Sequence, residues 1–275
     1  MQQLIVRSLS GIVYVVLVLF SIFNGPFGPF FLVLLLGSVA LFEWINFGRR
    51  APNTRRLTLL YGIYFISLLA FSGPLFFAAS TLGAARFLLI VLVIALFMSE
   101  TFLGRQIQLQ QLMHEVFGLV YLAIPLALMY RIPFLNEKMG TWYLFSLFAL
   151  LWLADTCAYL VGSRWGRHKM SPEISPNKSW EGLMGALLAV WIGAAVLSWQ
   201  FAERPWWFWF GLATVVLLFG VLGDLFESAV KRSFNLKDSG KFMPGHGGIL
   251  DRVDSLLFAA PAAYGYLRLM EMYTG

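Results

Sequence analysis

Long apolar runs separated by short polar segments dominate the chain. Several runs exceed the roughly 20 residues that a helix needs to cross a bilayer, and their apolar positions are continuous rather than alternating. Continuous runs favour helices over barrel strands, and only these two structures satisfy every backbone polar group in lipid. We therefore predict nine transmembrane helices: Leu9–Phe23, Phe27–Phe47, Leu57–Gly73, Ala85–Leu103, Met113–Arg131, Thr141–Gly162, Gly182–Ala202, Trp206–Gly223 and Val253–Tyr273.

The turn signals between the apolar runs support this division into helices. Asn24-Gly25-Pro26 is a tight turn signal between the first two helices, whereas the stretch from Pro74 to Ala84 is compatible with a turn or with a longer helix. No small-residue cleavage site follows the first run, which we interpret as a span rather than a signal peptide. We expect residues 1–140 to form a scaffold and dimer region and residues 141–275 to form the catalytic region.

The composition identifies an all-α polytopic membrane protein. The chain is 59% hydrophobic and 12% charged, against about 25% charged residues in soluble domains. The net charge of +6 does not indicate a nucleic-acid partner, because the basic residues lie in short loops between spans. The single cysteine, Cys157, excludes an internal disulfide and a cysteine-based zinc site, and we interpret it as a small core residue.

The distribution of lysine and arginine predicts the orientation. With nine spans, 15 of the 20 basic residues fall on one side of the membrane and five on the other. The positive-inside bias then places the N-terminus in the cytoplasm and the C-terminus outside. Three polar segments become cytoplasmic: Gly48–Arg56, Ser163–Glu181 and Asp224–Arg252.

The 27 residues from Ser228 to Asp254, which we call the polar segment, are the most charged part of the chain. Polar groups this dense between two spans are typical of a site for a multiply charged ligand and a metal ion. Around the start of this segment, four polar residues have helical spacing and share one face if the eighth helix continues past the membrane: Asp224, Glu227, Ser228 and Lys231. Carboxylates at this depth are costly and usually functional, although a solvated interfacial pair is the alternative.

Asp251 and Asp254 begin the last span, after the glycines at 245, 247 and 248. These glycines permit a close approach of backbone to ligand, and a helix N-terminus offers free N–H donors to phosphate. Mg²⁺ prefers carboxylates combined with substrate phosphates, so Asp224 and Asp251 are candidates to share a metal. The alternative for Asp251 is a helix cap. His246 either contacts phosphate, transfers a proton or is a structural residue of the turn.

A third element combines Asp155 and Tyr159, one turn apart near the cytoplasmic end of the sixth span, with the loop from Ser175 to Gly182. Lys178 in this loop is a cation suited to phosphate, whereas Asp155 is either functional or a structural ion-pair partner. Together the three elements predict a cytoplasm-facing pocket for phosphoryl or nucleotidyl transfer, which requires positioning and charge neutralisation. Neither a P-loop nor a Rossmann glycine motif is present.

The polar segment resembles the signature of the phosphatidate cytidylyltransferases, also called CDP-diacylglycerol synthases. Further resemblance lies in Gly223-Asp224-Leu225, in Asp155-Thr156 with Ala158-Tyr159, and in Ser175-Pro176 with Trp180-Glu181-Gly182. Met243 replaces the usual Leu, Ile or Phe, and Asn177 and Ser179 replace Lys and Thr. The signature positions are Ser228, Val230, Lys231, Arg232, Lys237, Asp238, Gly240, Met243, Pro244, His246, Gly247, Gly248, Ile249, Asp251, Arg252, Val253 and Asp254.

The resemblance implies that CTP and phosphatidate react with Mg²⁺, and with room for a second cation, to give CDP-diacylglycerol and pyrophosphate. It also implies a homodimeric enzyme of the bacterial inner membrane, whose metal-binding acidic positions match Asp224 and Asp251. Lys231, Arg232, Lys237 and Arg252 would neutralise the phosphates, and Asp155 and Asp254 would support the metal ligands. The remaining candidates for substrate binding are Ser228, Asp238, His246, Gly247, Gly248, Lys178 and Tyr159.

Two other functions also use such residues. A CTP-dependent polyprenol or dolichol kinase needs metal, nucleotide and an apolar acceptor, but it releases CDP rather than pyrophosphate. An ion or phosphate transporter uses intramembrane carboxylates, but its polar residues should reach both faces. Here they gather at one face, which favours an interfacial enzyme. The D-G-x2-A-R signature of the CDP-alcohol phosphotransferases is missing.

Overall fold

The structure is a computed structural model that describes residues 2–47, 54–72, 109–240, 242–243 and 247–274. Within these ranges the chain forms eight α-helices, a short 3-10 helix at Ile132–Phe134 and one β-hairpin. The hairpin pairs β1 (Lys169–Ser171) with β2 (Ser175–Ser179) in antiparallel orientation. The α-helices are α1 (Gln2–Phe23), α2 (Phe27–Phe47), α3 (Thr54–Ser72), α4 (Leu109–Arg131), α5 (Gly140–Trp165), α6 (Trp180–Gln200), α7 (Trp206–Ser233) and α8 (Leu250–Thr274).

The predicted all-α membrane architecture is confirmed. Each described helix overlaps one predicted span, and α2 has the predicted bounds. Five helices are long and apolar enough to cross a membrane: Phe27–Phe47, Gln110–Phe134, Gly140–Trp165, Trp180–Gln200 and Trp206–Ser233. The predicted span Ala85–Leu103 and the stretch from Pro74 to Ala84 lie outside the described residues, so the total of nine spans stays a prediction.

Two local predictions change. The eighth predicted span ended at Gly223, but α7 continues to Ser233, because its polar residues keep the helical period after the apolar run has ended. The segment before α6 was predicted as a loop, because serine, proline and asparagine are typical of loops. Its residues instead pair as a hairpin, with Lys169 opposite Ser179 and Ser171 opposite Ser175.

The chain packs into two compact units. The first comprises Met1–Arg131 and Asp238–Leu250, and its core contains a reciprocal contact between α2 and α4. Trp44 Nε1 donates to the carbonyl of His114 at 3.0 Å, and His114 Nε2 donates to the carbonyl of Trp44 at 2.8 Å. The two rings are stacked, with centroids 5.1 Å apart. These bonds satisfy buried polar groups and fix the register of the two helices.

The second unit comprises Ile132–Lys237 and Asp251–Gly275. Within it α7 and α8 run antiparallel, as the contacts of Phe226 with Phe258 and of Phe208 with Tyr266 show. At one end, Glu271 of α8 accepts hydrogen bonds from Tyr143 Oη at 2.8 Å and from Arg204. Arg204 Nε also donates to Tyr143 Oη at 3.0 Å. We call these three residues the polar clamp, and they join α5, α8 and the α6–α7 connection.

Candidate active site

The other end of the α7–α8 pair holds a buried cluster of charges. Lys231 Nζ lies 2.6 Å from Asp251 Oδ1 and also forms an ion pair with Glu227, one turn earlier in α7. Glu227 is completely buried, and the side chains of Lys231 and Asp251 are each 11% exposed. Charges this deep require paired, hydrogen-bonded partners. Lys231 therefore fixes both carboxylates, and its contact with phosphate stays a prediction.

A second ion pair lies one turn earlier on the same face of α7. Lys178 Nζ is 2.5 Å from Asp224 Oδ2, and both side chains are partly exposed. Ser228 Oγ donates to Asp224 Oδ1 at 3.4 Å. The predicted common face of Asp224, Glu227, Ser228 and Lys231 is thus confirmed, because α7 continues unbroken through these positions.

Three further charged residues surround these pairs. Asp155 interacts electrostatically with Asp224, Lys178 and Arg252, and Asp254 interacts with Asp224, Glu227 and Asp155. The second unit therefore brings together carboxylates from α5, α7 and α8. A concentration of negative charge with only partial lysine compensation favours binding of a cation.

A glycine allows the two helices that carry the aspartates to approach closely. A Cβ atom added to Gly223 would lie 2.5 Å from the backbone oxygen of Asp254 and 3.3 Å from the Cα of Ser255. Only glycine permits this backbone contact without displacement. Because Asp224 follows Gly223 directly, the contact determines the separation between the carboxylates of α7 and α8.

The β-hairpin presents Lys178 to Asp224. Lys178 is the penultimate residue of β2, and the next residue, Ser179, caps α6 by accepting a hydrogen bond from the backbone N–H of Gly182 at 3.2 Å. Glu181 closes the base of the hairpin, because it accepts bonds from the backbone N–H groups of Arg167 and His168 and lies 2.6 Å from His168 Nδ1. Lys178 is therefore held by a structured element rather than by a loop.

Three predicted binding residues are exposed around this cluster. Arg232 donates to the backbone oxygens of Leu236 at 3.0 Å and Ile174 at 3.4 Å, which ties the end of α7 to the hairpin. Lys237 is exposed beyond the helix. Tyr159 is 74% exposed, one turn after Asp155. The structure thus brings the predicted residues Asp155, Lys178, Asp224, Ser228, Lys231, Asp251 and Arg252 into one cluster and leaves Arg232, Lys237 and Tyr159 accessible.

The predicted residues Asp238, Gly247 and Gly248 belong to the first unit, in the stretch Asp238–Leu250 that we call the glycine-rich loop. Gly247 has a φ of +84°, which favours glycine, and its backbone oxygen accepts a hydrogen bond from the N–H of Met243 at 2.9 Å. His246 and Lys241 lie outside the described residues. The role of His246 therefore stays a prediction.

The start of α8 differs from the expectation of free N–H donors. The backbone N–H groups of Ile249 and Leu250 donate to the carboxylate of Glu43, at 3.1 and 2.8 Å. These two N–H groups therefore bind a protein carboxylate and are not free to bind a phosphate. Glu43 was not among the predicted site residues, and Glu227 was predicted only as a member of the face that it shares with Asp224. The helical spacing of Glu227 with Lys231 was the available signal for that residue.

The donor set is compatible with magnesium but does not form a complete cage. Among the described residues, no group of three or more His, Cys, Asp or Glu side chains is arranged to hold a metal ion. Mg²⁺ usually takes one or two carboxylates and completes its coordination with water and substrate phosphates. Asp224 and Asp251 supply such oxygens, and each lies next to a lysine.

Comparison with known proteins finds one family along nearly the whole chain. The model of the cytidylyltransferase family matches residues 5–270. A phosphatidate cytidylyltransferase of Bacillus subtilis (strain 168) is 34% identical over 275 residues, which cover 96% of this chain and 98% of that protein. The phosphatidate cytidylyltransferase of Staphylococcus aureus (strain COL) is 46% identical over 123 residues, which cover 44% of this chain and 47% of that protein.

Proposed function

Because this chain belongs to the cytidylyltransferase family, whose model matches nearly its whole length, we propose that it transfers a cytidylyl group from CTP to phosphatidate. The products are CDP-diacylglycerol and pyrophosphate. The observation that carries the proposal is the pair of lysine–aspartate contacts. Lys178 of the hairpin contacts Asp224 of α7, and Lys231 of α7 contacts Asp251 of α8. Such a cluster suits a reaction between two polyanions, because it supplies both cations and metal ligands.

The chemistry requires no covalent enzyme intermediate. A phosphate oxygen of phosphatidate attacks the α-phosphorus of CTP, the bond between that phosphorus and the bridging oxygen breaks, and pyrophosphate leaves with the electron pair. The second pKa of a phosphate monoester is near 6, so the attacking group is already largely ionised at neutral pH. The residues therefore act by orienting the two phosphates and by compensating their charge.

We propose Asp224 and Asp251 as the ligands of Mg²⁺, with Asp155 and Asp254 supporting them. The ion would neutralise charge on the triphosphate and align it for displacement. Lys178 is the most available cation for phosphate, because its side chain and that of Asp224 are 22% and 32% exposed. Arg232, Lys237 and Arg252 are exposed as well and would contact the phosphates of either substrate.

The membrane location has support from exposed tryptophans. Trp165 and Trp180 lie at one end of the α5–α6 pair, and Trp199 and Trp206 lie at the α6–α7 connection; all four are more than half exposed. Tryptophan is enriched at membrane interfaces. Trp180 and Trp199 are separated by 19 helical steps, or about 28 Å of helix, which is close to the hydrocarbon thickness. We propose a bacterial inner-membrane protein whose carboxylate cluster faces the cytoplasm, and a homodimer as the family resemblance implies.

The decisive experiment follows two differently labelled forms of CTP. Purified protein is incubated with phosphatidate vesicles, Mg²⁺ and CTP labelled on either the α- or the γ-phosphorus. The proposal predicts that the α-label enters the lipid phase and the γ-label appears in pyrophosphate. Label entering a lipid from the γ-position, with release of CDP, would instead identify a CTP-dependent lipid kinase.

A matched variant tests the metal assignment in the same assay. Asp224→Asn retains the size of the side chain but removes its negative charge, and we expect turnover to fall by a factor of about 10² or more. The variant should still insert into membranes and elute as the wild type does in size-exclusion chromatography. Full activity in Asp224→Asn, or undiminished wild-type activity after chelation of divalent ions, would refute the assignment.

A further inference from the structure

Glu43 of α2 makes an unusual set of contacts for an acidic residue in a membrane helix. It is 5% exposed, and it lies in a helix that is otherwise apolar enough to span the bilayer. A carboxylate in this environment is costly unless its oxygens are hydrogen-bonded. Its position therefore calls for a functional or structural reason beyond the packing of α2.

Both oxygens of Glu43 accept hydrogen bonds from the glycine-rich loop, about 200 residues later in the chain. Oε1 accepts from the N–H of Ile249 at 3.1 Å, and Oε2 accepts from the N–H of Leu250 at 2.8 Å and from Ser239 Oγ at 3.2 Å. The carboxylate thus joins the two ends of the loop to each other. It also caps α8, where negative charge is favourable next to the exposed N–H groups.

Two glycines of the loop pack directly against this carboxylate. A Cβ atom at Gly248 would lie 2.5 Å from Glu43 Oε2, and one at Gly240 would be closer still to Oε1. Both positions were part of the sequence signature, and for Gly248 the expected reason was access for a ligand. The structure supplies a second reason, because any side chain at either position would displace the carboxylate that holds the loop.

We propose that Glu43 is a positioning residue for nucleotidyl transfer, which acts by holding Ser239, near the start of the glycine-rich loop, together with Ile249 and Leu250, where α8 begins. The inference rests on the proposed function. Asp251 follows Leu250 directly in α8, so the orientation of the helix start determines where the Asp251 carboxylate points. Glu43 itself contacts no substrate in this assignment.

Glu43→Gln is the most informative variant. The amide retains one acceptor oxygen and the shape of the side chain, but its NH₂ group opposes a backbone N–H donor. We expect kcat/KM for CTP to fall about tenfold or more, because small displacements near a reacting centre have large kinetic effects. We expect Glu43→Ala to lower kcat/KM for CTP further. Ser239→Ala, which removes a single donor, should lower it less.

Glu271→Gln provides the matched control. Glu271 is also a mostly buried carboxylate with several donors, but it lies 20 residues beyond Asp251 in α8, about 30 Å along the helix. We expect it to lower the thermal midpoint in detergent as Glu43→Gln does and to keep wild-type kcat/KM for CTP. An activity loss in Glu43→Gln no greater than that of Glu271→Gln would overturn the proposal.

Hydrogen–deuterium exchange gives a readout that is independent of catalysis. Peptides covering residues 247–254 should exchange faster in Glu43→Gln than in wild type and be unchanged in Glu271→Gln, because Ile249 and Leu250 lose an acceptor. Unchanged exchange in Glu43→Gln would overturn the proposal whatever the activity. If the wild type failed to form CDP-diacylglycerol while exchange responded as expected, the proposed function would fail and the contact of Glu43 with the loop would stand.

Discussion

The two lysines of the site differ in what surrounds them, and this difference separates their roles. Lys231 is buried between Glu227 and Asp251, whereas Lys178 and its partner Asp224 are partly exposed. Breaking a buried ion pair by removing one partner costs about 3–5 kcal/mol, but an exposed pair contributes about 0–1 kcal/mol. Lys231 should therefore matter for stability and Lys178 mainly for substrate.

Replacement of each lysine by methionine tests this division. We expect Lys231→Met to lower the thermal midpoint strongly, because it leaves two buried carboxylates without a cation. Lys178→Met should change the midpoint little and raise the KM for CTP. The thermal midpoint of each variant is measured by thermal unfolding in detergent, and its KM for CTP is measured from initial rates at varied CTP.

A double variant provides the control for Lys231. Glu227→Gln combined with Lys231→Met removes one of the uncompensated charges, so part of the lost stability should return while activity stays low. Equal thermal midpoints for Lys231→Met and Lys178→Met would contradict the assignment.

At the scale of elements, the antiparallel packing of α7 against α8 organises the site. Gly223 allows the helices to touch beside Asp224 and Asp254, and Lys231 joins α7 to Asp251 further along. The hairpin between α5 and α6 then adds Lys178 from a third direction. With Asp155 of α5, three helices and a hairpin thus place the charged groups, and loops contribute only at the edge of the cluster.

Gly223→Ala should disrupt this packing. The added methyl group would meet the backbone of α8, and overpacking of this kind typically costs about 1–3 kcal/mol. We expect a lower thermal midpoint and a larger proportional loss of turnover, because Asp224 is displaced. Gly265→Ala is the control: a Cβ there meets nothing within 4 Å, and alanine stabilises a helix interior by about 1 kcal/mol. If Gly223→Ala and Gly265→Ala have the same thermal midpoint and turnover, the close contact of Gly223 with α8 is unimportant.

Sequence periodicity predicted the helices well and their long-range contacts poorly. The bounds of α2 followed from a single uninterrupted apolar run, and the face formed by Asp224, Ser228 and Lys231 followed from helical spacing. The hairpin was missed because its residues are typical of loops. The contact of Glu43 with Leu250 was missed because no local pattern encodes a partner 207 residues away. Residues that share a helix face can be predicted from the sequence, whereas contacts between residues far apart in the chain require coordinates.

At the scale of the whole molecule, the orientation in the membrane decides which substrate pool the cluster meets. CTP is a cytoplasmic nucleotide, so the proposed reaction requires the hairpin and the end of α7 to face the cytoplasm. The excess of basic residues in the same segments supports this orientation. The connection between α6 and α7, at the opposite end of α6, should then face outward.

Single cysteines introduced into a Cys157→Ser background test the orientation. Glu173 near the tip of the hairpin and Glu203 in the α6–α7 connection are both exposed. A membrane-impermeant thiol reagent should label Glu203→Cys in intact cells and Glu173→Cys only after permeabilisation. The reverse pattern would place the site outside and contradict the proposed function.

The polar clamp has a practical consequence for anyone handling the protein. Its carboxylate belongs to Glu271 in the last turn of α8, so a deletion of that turn removes the acceptor that the guanidinium of Arg204 and the hydroxyl of Tyr143 share. A change confined to residues beyond α8 should be harmless, whereas removal of the last turn of α8 should yield poorly extractable, heat-labile material.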